Sequence, residues 1–350
     1  MIHTDARPAL RGALLALGAA TLFGVSTPVV QRAGVGLGPF ATAALLYAGA
    51  AILGALLRQP VDREARLQPT DARRIFSMAC FGAVLGPVFL AWGLQHTSGT
   101  SASLMLTLEA VFTALLARGL YHESMDRRVG AAMLLLTLGG AVLIVDGHRS
   151  GTAQWTGLLA VMLATLSWGI DNSLSRGLAD RDPGQVVLAK AALGSIMTGA
   201  IAWGLGEPAP HAAQAAALLA MGATGYGLSL RLYLLAQRAF GAARTGSVFA
   251  FAPFIGAVVA FGWSEGAFSW GMGLGGLLML AGVCLHLMES HNHEHRHEAL
   301  EHEHAHTHDD GHHTHHHAPM PTGLHSHRHR HEPLTHSHPH APDLHHTHRH

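Results

Sequence analysis

Three ionisable side chains stand where the surrounding sequence is apolar: Glu109, Asp171 and Lys190. A charge at the centre of a bilayer-spanning helix costs at least roughly 2.5–3.5 kcal/mol on insertion scales, so each needs a partner or a use. Glu109 has Met105 and Thr113 one helical turn away on either side, and Ser103 with Thr107 add a second polar row. Such a carboxylate can bind a cation or carry a coupling proton. A protonated glutamic acid hydrogen-bonded between helices fits the same pattern. Asp171 and Lys190 fall at similar depth in neighbouring segments and can pair, either as a structural ion pair or as a gate or substrate contact. Asn172 and Ser173 beside Asp171, with Ser26 and Thr27 at corresponding positions of the first segment, make a polar patch. Pro28, Pro87 and Pro253 are candidates for breaking helices and exposing backbone carbonyls. Arg231 reads as a side chain reaching toward the cytoplasm.

The other concentration of chemistry is histidine. Of 30 histidines, six precede His291, which leaves 24 in the last 60 residues. Many alternate with other residues: His291, His293, His295 and His297, then His302, His304, His306 and His308, then His325, His327, His329 and His331. Acids such as Glu294, Glu298, Glu301 and Glu303 are interleaved. Alternate residues of an extended chain face the same way, so neighbouring imidazoles can converge on one ion. Imidazole suits zinc, copper, nickel and iron, and the absence of thiolates argues against a Cu(I) site. Free imidazole titrates near pH 6.5, so binding should fail in mild acid. With almost nothing apolar to bury, residues 289–350 are expected to be disordered. The tail is expected to gather ions, to sense or buffer them, or to be incidental to the rest of the chain.

These groups must be positioned by membrane helices. Ten apolar runs, near 11–31, 38–57, 74–94, 99–118, 129–146, 155–176, 185–205, 213–236, 241–263 and 267–288, each approach the roughly 20 residues that a spanning helix needs. The joining stretches are short, and glycine (41 residues) and alanine abound, as expected where membrane helices approach closely. Placing both termini in the cytoplasm puts Arg7, Arg11, Arg58, Arg63, Arg66, Arg73, Arg74, Arg118, Arg127, Arg128, Arg176, Arg181, Arg238 and Arg244 inside, with only Arg32 and Arg149 outside. Trp92, Trp155, Trp203, Trp263 and Trp270 then fall at outer helix ends. Cys80 and Cys284 sit in apolar runs and read as small core residues. Cleavage of an N-terminal signal peptide would delete the first of these helices, so residues 11–31 are read as a span.

The chain is also a duplication. Gly99–Glu123 (GTSASLMLTLEAVFTALLARGLYHE) has a counterpart of equal length in Gly241–Glu265 (GAARTGSVFAFAPFIGAVVAFGWSE), and Leu134–Leu143 matches Gly276–Leu285 at the same offset. Ala16–Gly24 resembles Ala160–Gly169 with one residue of slippage. Five helices per copy is an odd number, so the copies enter the membrane in opposite senses. The predicted fold is an all-α integral membrane protein of ten transmembrane helices in two inverted five-helix repeats, residues 11–147 and 154–288, followed by a tail at 289–350. Inverted repeats commonly hold a solute near the midplane where the copies meet.

These features resemble the EamA-type transporters of the drug/metabolite transporter superfamily over about residues 12–288. Leu108, Glu109, Ala110, Val111 and Phe112 fit the family's leucine, glutamate, proline, valine, phenylalanine pattern except for Ala110. The second copy keeps Pro253, and His122–Glu123 and Ser264–Glu265 stand where Gly-Glu is usual. The resemblance implies export of amino acids, other metabolites, drugs or metal ions. Joined to the tail, it leads to an expected secondary transporter of the bacterial inner membrane that exports divalent transition-metal ions, nickel or cobalt before zinc, with the tail collecting them. A metabolite exporter with an incidental or regulatory tail, and a membrane-anchored metal buffer or sensor, stay open. The expected partners are the lipid bilayer and a small solute or metal ion, with a homodimer open and nucleic acid excluded. Nothing resembles a zinc-protease motif, a nucleotide loop or a nucleophile elbow, so no enzyme is expected and Glu123 and Glu265 read as structural.

Overall fold

The computed structural model describes residues 6–58, 65–121, 127–150, 152–178, 181–240, 242–263, 268–287, 292–296, 300–306, 325–331 and 335–339. The first half contains α1 (Ala6–Ala33), α2 (Pro39–Leu56), α3 (Ala72–Met78), α4 (Gly86–His96), α5 (Gly99–Met105), α6 (Leu108–Tyr121) and α7 (Arg127–Ser150). The second contains α8 (Thr152–Ser175), α9 (Pro183–Gly204), α10 (Ala212–Met221), α11 (Ser229–Phe240), α12 (Ala242–Phe249), α13 (Ala252–Trp263) and α14 (Trp270–Leu287). Two features recur at matching places. A wide turn of i→i+5 bonds joins α3 to α4 at Ala79–Leu85 and α10 to α11 at Gly222–Leu228. A break separates α5 from α6 at Leu106–Thr107 and α12 from α13 at Ala250–Phe251.

Among the described residues, eight helical spans are at least 18 residues long and apolar enough to cross a membrane, and two shorter apolar helices follow, Ala252–Trp263 and Trp270–Leu285. The ninth apolar run is shortened by the break at Ala250–Phe251, where Pro253 lies at the second position of α13 and lacks the N–H that would carry a continuous helix across. The counterpart break has no proline. There the backbone tightens to i→i+3 bonds, and the Leu104 carbonyl accepts both the Thr107 amide at 3.0 Å and Thr107 Oγ at 2.8 Å.

The halves interlock. α7 packs on α14, α2 on α9, α1 on α11 and α13, and α8 on α4 and α6. Each half's first helix therefore lies against the other half. Small residues allow this closeness: a Cβ at Gly139 would meet the Gly275 carbonyl oxygen at 2.8 Å, and one at Gly275 would meet that of Gly139 at 3.1 Å, so α7 and α14 touch through backbone. Large apolar side chains such as Trp203 and Trp270, each 89% exposed, face outward as lipid requires. Cys80 is half-buried, and Cys284 lies on the exposed surface of α14 and not in the core. The reason is helical periodicity, since Val283 and Met279 take the buried face.

The start of α2 is held by Glu207, which follows α9 and accepts from the Ala41 amide at 2.7 Å and the Phe40 amide at 3.3 Å. These amides have no partner within the helix, and a carboxylate complements the positive end of the helix dipole. Glu207→Ala should lower stability by about 1 kcal/mol, read as a lower unfolding temperature, while Glu207→Asp should recover part of it.

Four short strands are described within the tail. β1 (Asn292–Arg296) pairs antiparallel with β4 (Thr335–Pro339), and β2 (Leu300–His306) with β3 (His325–His331). The two strand pairs are nested in sequence. Alternation makes each pair two-faced. In β2 and β3 the residues opposite one another are His302 and His329, His304 and His327, and His306 and His325 on one face, with Glu301 opposite Arg330 and Glu303 opposite Arg328 on the other.

Candidate functional site

The groups singled out in the sequence gather where α8 crosses the wide turn before α4 and the start of α6. Helical spacing on α8 turns Asp171 toward the turn and α9, and Asn172 toward α6. Asn172 Nδ2 donates to Glu109 Oε1 at 2.6 Å, tying α8 to α6. Lys190 Nζ donates to Asp171 Oδ2, tying α8 to α9. Both members of that ion pair are buried, and Asp171 Oδ1 is buried with no hydrogen-bond partner.

Close approach depends on Gly82, since any side chain there would strike the Asp171 carboxylate. Gly82 is also where proline acts. The wide turn bonds the Gly86 amide back to Phe81, and the next donor in that series is Pro87, which has no N–H. The Gly82 carbonyl is thereby released, and it accepts from Tyr47 Oη and from Trp168 Nε1, the latter at 3.1 Å. Pro87 does expose a backbone carbonyl, and two aromatic side chains take it. The rings belong to a larger cluster. Phe23 lies 6.0 Å from Trp168 and 5.9 Å from Tyr226, and Tyr47 lies 5.7 Å from Tyr226, between ring centres. Tyr226 Oη is buried without a partner. Aromatic residues were not among the sequence candidates. Tyr47 and Tyr226 sit in largely apolar runs, and the signal that marks Tyr47, Pro87 five residues after Gly82, is readable only once a wide turn is known to be there.

Ser103 and Thr107 are placed apart from this group. Thr107 bonds back to Leu104 at its own helix break, and Ser103 Oγ is buried without a partner, facing Gly256 of α13, whose Cβ would sit 3.0 Å away. The break at Leu106–Thr107 turns the start of α6 relative to α5, so a polar row drawn on one continuous helix is split. Ser173 Oγ donates to the Gly169 carbonyl of its own helix at 2.9 Å, and Ser26 Oγ to that of Phe23 at 2.6 Å. Arg231 Nη1 donates to the Leu57 carbonyl at 3.1 Å, at the end of α2. His122, Glu123, Ser264 and Glu265 lie outside the described residues, as do His291, His297 and His308. Among the described residues no three His, Cys, Asp or Glu side chains come together as a metal cluster.

A multi-pass helical body with charges buried at helix crossings fits movement of a solute through the protein, and comparison with known proteins points the same way. The model of the EamA-like transporter family matches twice, at residues 10–145 and 155–288. A protein of Methanothermobacter thermautotrophicus described as an uncharacterized transporter is 29% identical over 243 residues, 66% of this chain and 69% of the relative. A solved structure described as a crystal structure of a protein has a TM-score of 0.57 at 17% identity, covering 78% of this chain and 94% of that one, which shows a shared fold. The two family matches span most of the chain, and it belongs to the EamA-like transporter family, a multi-pass membrane transporter.

Proposed function

We propose that this transporter exports divalent transition-metal ions, nickel or cobalt before zinc, across a bacterial inner membrane, with both termini in the cytoplasm. In this reading ten spans form two inverted repeats, and the paired wide turns and paired helix breaks are the matching joints on which the halves rock. The observation that carries the metal cargo is the register of the tail. Histidine stands opposite histidine at five places: His293 with His338, His295 with His336, His302 with His329, His304 with His327, and His306 with His325. Directly opposed residues have Cβ atoms about 4.5–5.5 Å apart, a spacing from which two imidazoles reach one ion at about 2.0–2.1 Å. Imidazole nitrogens without sulfur are a donor type for borderline ions. Held at the cytoplasmic mouth, such sites raise the local ion concentration.

The test is accumulation of nickel, cobalt and zinc in metal-loaded cells lacking their own exporters. The protein should lower total metal, and replacing His302, His304, His327 and His329 together with alanine should remove part of that effect. Lower free metal at unchanged total would mean a buffer, and no change for any ion would remove metal as the cargo. A second reading, export of an organic solute with a cationic group, is favoured by the rings of Phe23, Tyr47, Trp168 and Tyr226 around the central crossing, since aromatic faces hold such cations.

A further inference from the structure

The crossing that holds Asp171 and Lys190 occurs twice in the molecule, and only one copy is charged. α8 meets the wide turn of the first half with Asp171 against Gly82; α1 meets the wide turn of the second half with Ser26 against Gly225, where a Cβ would sit 2.5 Å from that of Ser26. Lys190 is the eighth residue of α9, and the eighth residue of α2 is Leu46, buried in the core. The equal-length repeat sets Phe251 opposite Glu109. Packing this crossing therefore needs no charge: a serine and a leucine do it in the other half. A buried ion pair is a poor stabiliser beside apolar residues of similar size, because desolvation offsets the attraction. The charged copy has a use other than holding helices together.

Two further observations say what that use is. Asp171 Oδ1 is buried and unpartnered, so the carboxylate retains capacity for a ligand beyond Lys190. The Gly82 carbonyl and the ring cluster stand beside it. We propose that Asp171 is a cation-binding group whose resting occupant is Lys190, and that a cation arriving from the cytoplasm displaces the ammonium to take its place. The tethered lysine keeps the carboxylate compensated when no cargo is bound; on displacement the ammonium releases its proton to cytoplasmic water and stays as a neutral amine, so neither state holds a lone buried charge. Ser26 and Leu46 leave the counterpart crossing without such a site, so capture is confined to one side of the membrane. This rests on the export reading above for its direction, and on neither cargo for its chemistry.

Lys190 is the only lysine in the chain, which makes displacement directly readable. The full-length protein in lipid vesicles is treated with a membrane-permeant succinimidyl ester, and modification of the Lys190 peptide is followed by mass spectrometry, separately with nickel, cobalt, tetramethylammonium and sodium. Nickel or cobalt should raise the labelling rate at least threefold over sodium, and Asp171→Asn should label fast in sodium alone with no further response. A response to tetramethylammonium but not to the metals would keep the site and remove the metal cargo. Labelling unchanged by every cation, with Asp171→Asn still labelling fast, would make the pair structural and overturn the proposal. A second arm copies the uncharged crossing into this one, Asp171→Ser with Lys190→Leu. That variant should keep its unfolding temperature within a few degrees and lose export; export at the wild-type rate would equally overturn the proposal.

Discussion

Glu109→Gln should abolish export while leaving the protein folded. The carboxylate is held by one hydrogen bond from Asn172, and a glutamine oxygen can accept the same bond with nearly the same shape. What disappears is the charge, and with it the capacity to hold a cation or a coupling proton at the start of α6. Removing one charged partner of a buried interaction can cost several kcal/mol. Here the partner is a neutral amide, so stability should change by less than about 1 kcal/mol. Under the proposed metal export, accumulation of the ion should return to the level of cells without the protein, a loss of at least tenfold in flux, at an unchanged unfolding temperature. Flux at the wild-type rate would remove Glu109 from the mechanism, and a collapsed unfolding temperature would show that its role is to join α6 to α8.

Gly222→Ala should be the most damaging single methyl group in the molecule. A Cβ there would press on the Leu46 carbonyl, 2.6 Å from its carbon and 2.8 Å from the Leu46 Cα, so it meets backbone and not a side chain that can swing away. Gly49 stands in the reverse arrangement on the same interface, its Cβ 2.9 Å from the Ala223 nitrogen and from the Leu219 carbonyl carbon. α2 and the wide turn after α10 must separate to admit either methyl. Overpacking costs about 1–3 kcal/mol where side chains can shift, and more is expected where only backbone can. The variant should be lost during extraction or unfold at least 10 °C below the wild type, whereas Gly130→Ala or Gly262→Ala, with open space at the Cβ, should be neutral.

The difference between these glycines was invisible in the sequence. All read as small residues in apolar runs, and only the approach of a second backbone distinguishes Gly222 from Gly262. The same holds for proline. Pro87 and Pro253 were both legible as helix breakers, but the Leu106–Thr107 break carries no such mark because the backbone there tightens to i→i+3 bonds. Glu109, Asp171 and Lys190 were legible for a simple reason: ionisable groups are rare and expensive in apolar runs, so they stand out singly. The pairing of Asp171 with Lys190 followed from their depth. Asn172 as the partner of Glu109 did not, since the two lie 63 positions apart and nothing local links them.

The sequence by itself determined what a local pattern can determine: apolar runs of membrane length, the duplication, the family, and a tail rich in histidine. Only the tertiary structure decided which repeated elements meet. It set Ser26 and Leu46 opposite Asp171 and Lys190 as the uncharged copy of one crossing, turned Ser103 and Thr107 away from the charged group, and brought Tyr47, Trp168 and Tyr226 around the Gly82 carbonyl. The physical reason is that hydropathy and helix breaks depend on a residue and its near neighbours, whereas interhelical partners depend on rotation and depth, which a stretch of alanine, glycine and leucine leaves undetermined until backbones are in contact.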